Sequence, residues 1–402
     1  MADRNESCEP QPSSLLPALQ RMGNAGESWD ESILSQWHQA KEEPVGVNDK
    51  GEPTYLFRST VEDNRVRRVD GKLGLIATVN VKRTREKRKT KLYEAKPLHK
   101  GSPPSTAASA PSLLRPFDPN DFNFNKANPK ETIGELCVDG EKHPVLLNVS
   151  PIFEGHILVV PWSQKCLPQY LTREALTVAL EFSMASSRDD FKVMFNSSGA
   201  WASVNHLHFH GMYVSGVCPS GLPIETAPTA SLIATLPLSL PPAPSVTVSA
   251  SVLQYPSSPI VFTVDGEAVS RDVRDGLVDV VWGLVELLVA EDCPFNLTMS
   301  LRRDGRGRIY FIPRRPQVIS TVPPFRSPDG DDDPDGPGIL RMAVCECSGV
   351  PILYSEEAFE QLTEAHFRQM AEEDISIEAA LREKLCEGLV RLMGTRGADK
   401  GG

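Results

Sequence analysis

The segment Ser203-Val-Asn-His206-Leu-His208-Phe-His210-Gly-Met-Tyr-Val214 limits the possible fold more than any other stretch of the chain. Histidine occurs 8 times in 402 residues, and three of those stand here at a spacing of two, alternating with Leu207 and Phe209. A period of two is the strand period, because successive Cβ atoms point to opposite faces of a pleated sheet. Residues 204–214 are therefore expected as a strand, with three imidazoles on one face and the apolar pair on the other. Same-face neighbours lie about 7 Å apart on an ideal strand. That is too far for hydrogen bonds between the rings, but close enough to line up along one phosphate-bearing ligand.

Three chemistries fit such a row. The plainest is a half-buried strand whose histidines face solvent. A metal site is the second, since neutral imidazole is the commonest ligand, but it needs a further Cys, Asp, Glu or His that the sequence does not identify. The third is a histidine nucleophile attacking phosphorus, with its neighbours orienting it and delivering a proton to the leaving group. Phe195-Asn196-Ser-Ser-Gly199-Ala-Trp-Ala-Ser203 favours the third. Small residues and hydroxyls let a backbone approach a charged phosphate.

The surrounding pattern is duplicated. Strands are expected at 145–149 and 156–160, separated by a turn through Pro151 and Gly155. A helix at 172–186, capped by Thr172, and a strand at 192–196 lead to the histidine strand. Later come a strand at 261–264, a helix at 271–291 and a strand at 295–301, and a Gly-rich hairpin, Arg303–Arg308, opens Ile309–Ile312. Strand–helix–strand–turn–strand thus occurs twice, the second time without a histidine cluster, which predicts a tandem of one active and one degenerate half. Ser28–His38 adds a capped helix with Trp29, Ile33, Leu34 and Trp37 on one face.

The expected organisation is a disordered tail at 1–27, a catalytic half at 28–225 and a degenerate half at 260–395. A Pro/Ser/Ala loop at 101–116 interrupts the first half, and an acidic Gly/Pro loop at 326–338 the second. A Pro-rich connection at 226–259 joins the halves. The basic run from Lys82 to Lys91 reads as a solvated face or loop; a nuclear address, an RNA contact and positive potential near a polyanionic substrate are its other readings.

Composition narrows the function classes. With 42 Lys and Arg against 53 Asp and Glu, the net charge of −11 argues against general nucleic-acid binding, which needs a dominant positive field. The longest apolar tract, Leu277–Ala290, is short for a bilayer and carries Asp279 and Glu286, so no membrane span is expected. The polar N-terminus has no apolar segment of the kind a secretory signal carries. Eight scattered cysteines form no C-x-x-C pair, and Cys345 and Cys347 could face one side of a strand. Reduced thiols in a cytoplasmic protein are the reading.

His206-Leu-His208-Phe-His210 resembles the histidine-triad motif of the HIT superfamily of nucleotide hydrolases and transferases. Phe122-Asn-Phe124-Asn-Lys126 and Asn148-Val-Ser-Pro-Ile-Phe-Glu-Gly155-His156-Ile-Leu-Val-Val-Pro161 stand where that superfamily carries its nucleoside-pocket strands. Within it the chain is similar to the GDP-D-glucose phosphorylases, animal relatives of plant GDP-L-galactose phosphorylases. The match is strongest over residues 117–225 and weaker at 28–80 and 339–370. Plant members carry Gln at the position of His210, so the histidine here favours the animal branch.

The resemblance implies an α+β fold, a HIT-like antiparallel sheet with flanking helices. It implies phosphorolysis of a GDP-hexose, with inorganic phosphate as second substrate and neither metal nor cofactor. His208 would attack the α-phosphorus, His206 would orient it, and His210 would bond the phosphate or the leaving oxygen. Asn148 matches a ribose contact, Asn196 a position near the phosphate, and His156 and Ser203 positions near the triad. A nucleotide hydrolase, another nucleotidyltransferase of the superfamily and a non-catalytic nucleotide-binding protein remain the alternatives.

Overall fold

The duplicated pattern has a direct counterpart in the computed structural model, which describes residues 27–57, 61–86, 113–239, 245–318, 320, 322–323, 325 and 340–399. The expected N-terminal tail up to residue 26, residues 101–112 of the Pro/Ser/Ala loop, the second half of the basic run (87–91) and the acidic loop lie outside the described residues.

Helix α1 (Trp29–Glu42) opens on Ser28, whose side chain and Glu31 form a capping box. A hairpin of β1 (Pro44–Val47) and β2 (Pro53–Tyr55), then β3 (Arg65–Arg68), β4 (Ile76–Val79) and the short α2 (Val81–Glu86), precede the first half. That half consists of β5 (Thr132–Val138), β6 (Glu141–Leu147), β7 (Glu154–Val159), α3 (Arg173–Ala185), β8 (Phe191–Asn196) and β9 (Phe209–Tyr213). The second repeats the order with β10 (Thr229–Ser239), β11 (Val246–Leu253), β12 (Ile260–Gly266), α4 (Arg271–Ala290), β13 (Phe295–Leu301) and β14 (Gly307–Pro313). The chain continues through α5 (Val344–Cys347), β15 (Ile352–Leu353), α6 (Glu356–Gln361), α7 (Glu364–Met370) and α8 (Ala379–Asp399).

Both halves join one antiparallel sheet, in the order β10-β11-β12-β14-β13-β8-β9-β7-β6-β5. Each half therefore runs first, second, third, fifth, fourth strand. The halves meet through their fourth strands, with Asn296 opposite Asn196 and Met299 opposite Val193. This is a pseudo-two-fold relation, as two copies of one unit require when they pair antiparallel.

Strand alternation decides what each face buries. Ile157, Val193, Phe195, Phe209, Leu297 and Met299 point to the face covered by α1, α3, α4 and α8. Full burial of one such side chain contributes about 1.5–3 kcal/mol, so this layer dominates the core. At Gly211 the ring of Phe182 lies where a Cβ would sit, at 2.3 Å, so α3 can pack this closely only on glycine. Met194, Met212, Val261, Tyr310 and Ile312 point to the opposite face. There β3, β4 and β15 form a second, small sheet with α6 and α7 packed beside it.

The structure differs from the sequence reading at four places. The histidine strand begins only at Phe209, and residues 203–206 are bent. The Pro-rich 226–259 stretch holds β10 and β11, the outer strands of the second half, whose Val246, Val248 and Ala250 feed the main core. Its prolines are compatible with pairing because Pro237 sits on the edge strand beside a register shift. Cys345 and Cys347 lie on the short helix α5 and are buried. Phe124–Lys126 is a single 3₁₀ turn capped by Asn123, not a strand.

Candidate active site

The site lies on the face of β7 and β9 opposite the main helices, where the 197–208 connection approaches the sheet. Side-chain clamps hold that connection together with isolated backbone bonds, such as the Leu207 N–H to the Leu167 carbonyl at 2.8 Å. Gln169 is fully buried and grips both backbone groups of His208: its Oε1 accepts the His208 N–H at 2.9 Å and its Nε2 donates to the His208 carbonyl at 3.2 Å. The same Nε2 donates to the Asn196 carbonyl at 3.0 Å. Asn205 accepts from the Gln169 N–H and donates to the Pro116 carbonyl, at 2.9 and 2.8 Å. These bonds pull His206 and His208 out of strand geometry and keep them at the strand mouth.

Hydrogen-bond partners fix each ring's tautomer. The His208 Nδ1 lies 2.7 Å from the His206 carbonyl. A carbonyl only accepts, so Nδ1 carries the proton and Nε2 keeps its lone pair. His206 accepts the Phe124 N–H at Nδ1, at 3.1 Å, and so donates from Nε2 to the Ser163 carbonyl, also at 3.1 Å. Both its nitrogens are engaged, and its ring stacks on Phe124 with centroids 5.8 Å apart. His156 accepts the Ile152 N–H at Nδ1, 3.1 Å, which puts its proton on Nε2. That proton is donated to His210 Nδ1 at 3.0 Å, leaving the His210 proton on Nε2. Asn148 Nδ2 also lies 3.1 Å from His156 Nε2, but both carry hydrogen, so this is a close approach of two donors.

All four imidazoles are held neutral. Burial brings His206 down to about 4, and His156 and His210 to about 3, the last two helped by the nearby Arg83 guanidinium. Burial pushes His208 well below the usual histidine range, with His210 adding to the effect. A neutral ring with its lone pair on Nε2 is the reactive form of an imidazole nucleophile.

The rings form a continuous row. Centroids are 4.9 Å apart for Phe124 and His208, 4.9 Å for His208 and His210, and 5.2 Å for His210 and His156. Beyond Phe124 lies an apolar shelf of Leu146, Leu158, Val160 and Val204.

The remaining expected residues are distributed unevenly. Asn148 borders the row, and its Oδ1 accepts the Ser150 N–H. Asn196 faces the second half, where its Oδ1 accepts from Asn296 Nδ2 at 2.6 Å and from the Val344 N–H at 2.9 Å. Ser203 is exposed in the bend ahead of His206. Lys126 turns away and closes its own loop on the carbonyls of Pro119, Asn120 and Asp121. Among the described residues, no group of three or more His, Cys, Asp or Glu is arranged to hold a metal ion. Likewise, no helix there is long and apolar enough to cross a membrane.

Gln169 went unrecognised in the sequence because a lone glutamine between Pro168 and Tyr170 belongs to no spacing. The second half's share was equally hidden. Asn296 also donates to the Ala200 carbonyl at 3.0 Å, and Gln317 accepts the Trp201 N–H at 2.6 Å, so the other repeat holds the 196–201 loop. Arg314, fully buried, donates to Asn296 Oδ1 behind that pair.

Comparison with known proteins follows the same division. The GDPGP1-like N-terminal domain matches residues 28–212 and the GDPGP1-like C-terminal domain residues 223–393. GDP-D-glucose phosphorylase 1 of Danio rerio is 31% identical over 297 residues, covering 74% of this chain and 70% of that protein. GDP-L-galactose phosphorylase 1 of Arabidopsis thaliana is 28% identical over 383 residues, covering 88% and 76%. The crystal structure of yeast Ap4A phosphorylase Apa2 with Ap4A superposes with a TM-score of 0.47 at 15% identity, covering 87% of this chain and 98% of that one. With both domain families matched in order across the two halves of the sheet, the chain belongs to the GDPGP1-like family.

Proposed function

We propose that the chain is a GDP-hexose phosphorylase that converts GDP-D-glucose and inorganic phosphate into GDP and glucose 1-phosphate through a guanylyl-His208 intermediate. The names of its relatives supply the substrate class. The observation that carries the mechanism is the His208 tautomer: Nδ1–H is committed to the His206 carbonyl, and a neutral Nε2 lone pair is free to react.

In the first half-reaction Nε2 attacks the α-phosphorus, and the bond to the β-phosphate oxygen breaks. Hexose 1-phosphate departs with the bonding pair. The ring becomes a cation as the N–P bond forms, and the His206 carbonyl at 2.7 Å stabilises the Nδ1–H of that cation. His210 Nε2–H, oriented by His156, donates to the phosphate oxygens around the departing bond. In the second half-reaction phosphate attacks the same phosphorus in line, Nε2 leaves with its electron pair, and GDP forms. The nucleoside lies on the Phe124 shelf, with Asn148 at the sugar hydroxyls, since an amide donates and accepts.

Incubation of the purified chain with GDP-glucose, with and without phosphate, tests the reading. Phosphate-dependent release of GDP and glucose 1-phosphate is expected, with a guanylyl-protein mass increment when phosphate is withheld. Equal turnover without phosphate would instead assign a hydrolase. The protein works in the cytoplasm, where its seven described cysteines, all free thiols, stay reduced.

A further inference from the structure

The row of rings has two unlike ends. At one end Phe124 and the apolar shelf adjoin His206 and His208. At the other, His156 is bonded through Nδ1 to the Ile152 N–H, in the loop that also contains Ser150. The Ser150 carbonyl accepts from Arg83 Nε at 3.1 Å. Arg83 and Ile152 line one small recess together with Asn64, Asn80 and Tyr354.

Arg83 is held there by the small sheet. Its own N–H donates to Asn80 Oδ1 at 2.8 Å, Asn80 donates to Asn64 Oδ1 at 2.9 Å, and Asn64 donates to the Ile152 carbonyl at 3.0 Å. This chain of amides joins α2 to the loop beside His156, so the guanidinium stands at a fixed place although α2 is a surface turn. It also gives one member of the basic run a specific position.

Charge balance asks for such a cation. The proposed substrate brings two phosphates and the second substrate another, while the four imidazoles are neutral. Among the described residues, Arg83 is a cation whose field reaches both His156 and His210. In-line displacement puts entering and leaving groups on opposite sides of the phosphorus. With His208 on one side, the leaving hexose 1-phosphate and later the incoming inorganic phosphate must occupy the same place on the other. With the nucleoside at the Phe124 end, that place is the His156 end.

We infer that Arg83 is the binding residue for this phosphate monoester, gripping the β-phosphate of the nucleotide sugar in the first half-reaction and inorganic phosphate in the second. Nε is spent on the Ser150 carbonyl, and the two terminal nitrogens form the fork that suits two phosphate oxygens. The inference rests on the proposed direction of the substrate along the row, and its test does not need turnover.

Full-length wild type, Arg83→Gln and Arg83→Lys are titrated calorimetrically with glucose 1-phosphate and, separately, with GMP, which reaches only the nucleoside and α-phosphate positions. Arg83→Gln should weaken glucose 1-phosphate about 10–100-fold and leave GMP within about twofold. Arg83→Lys, with the charge but not the fork, should fall between. In phosphorolysis the KM for phosphate should rise by a similar factor. Unchanged glucose 1-phosphate binding, equal weakening of both ligands, or no saturable binding of glucose 1-phosphate to wild type would each overturn the inference. Failure of the phosphorylase reading would show elsewhere, as turnover by wild type that ignores phosphate.

Discussion

The two halves of the sheet share one topology, and at the connection between their fourth and fifth strands they part company. In the second half, residues 302–306 join β13 to β14 in a tight turn around Gly305, whose φ is +84°. In the first half, residues 197–208 make the same connection, and that longer path carries His206 and His208 to the mouth of the sheet. On the matching face of the second half β14 presents Arg308, Tyr310 and Ile312, opposite Ser300, Thr298 and Asn296 of β13, and no histidine. On β12, the strand that corresponds to β7, Val261 points to that face and its side chain joins an apolar cluster.

The difference teaches that two copies of one sheet unit can keep the same strand order while a longer loop and a few side chains give only one of them a histidine row. It also explains why the second half persists. The two-fold axis brings the start of β13 and the end of β14 against the first half's 196–201 loop, so Asn296, Arg314 and Gln317 serve as that loop's outer wall.

The largest contrast should come from the ring proposed as the nucleophile. His208→Ala should lower phosphorolysis by on the order of 10⁴-fold or more. Arg306→Ala, at the corresponding turn of the second half, should change it by less than about twofold. Parity between the two variants in a GDP-release assay would end the assignment of one active half.

Next comes the clamp. Gln169→Leu leaves the His208 N–H and carbonyl unpaired in a buried place, at about 1–3 kcal/mol, and kcat should fall about 10–100-fold. A variant with normal kcat and normal melting temperature would show that the ladder alone can hold the nucleophile.

The central amide pair separates structure from chemistry. Asn296→Ala strips a partner from Asn196, Arg314 and the Ala200 carbonyl, and should cost about 1–3 kcal/mol in urea unfolding. Arg302, just past the end of β13, pairs instead with Asp189 and Asp304 at the surface. Arg302→Ala should therefore cost only about 0–1 kcal/mol.

The smallest effect is one of pH. Because burial holds His208 well below the usual histidine range and His206 at about 4, the first half-reaction, measured without phosphate, should change in rate less than about twofold between pH 8 and pH 6.5. A loss of activity centred near 6.5 would mean a solvated nucleophile. For stability the sign follows the proton count. Between about 4 and 6.5 the unfolded histidines bind protons that the folded ones refuse, so their contribution is full above 6.5 and is lost as the pH falls. Glu346, pushed up to about 7, and Asp374, to about 6, act in reverse: burial favours their neutral forms, and that contribution fades as the pH rises through those values.

Much of the architecture was legible without coordinates. Thr172 caps α3, and the helix expected at 271–291 is α4, Arg271–Ala290. The strand expected at 295–301 is β13 residue for residue. These elements are local: caps, periodicity and turns act within a few residues, so the sequence displays them directly. The histidine alternation, read the same way, overran by five residues at its start, because the Gln169 side chain takes the His208 N–H and carbonyl that a ladder would use.

Sequence by itself therefore determined the duplicated order, the sheet, and the presence of three imidazoles at one strand mouth. Tertiary structure decided which nitrogen of each ring holds its proton, through the Phe124 N–H, the Ser163 carbonyl and the Ile152 N–H. It also decided that Gln169 and the second half's Asn296 brace the site's backbone, and it set Arg83 on the Ser150 carbonyl. The physical reason is range. Hydrogen-bond partners from distant parts of the chain leave no periodicity, yet in a buried site they set the proton, and with it the chemistry.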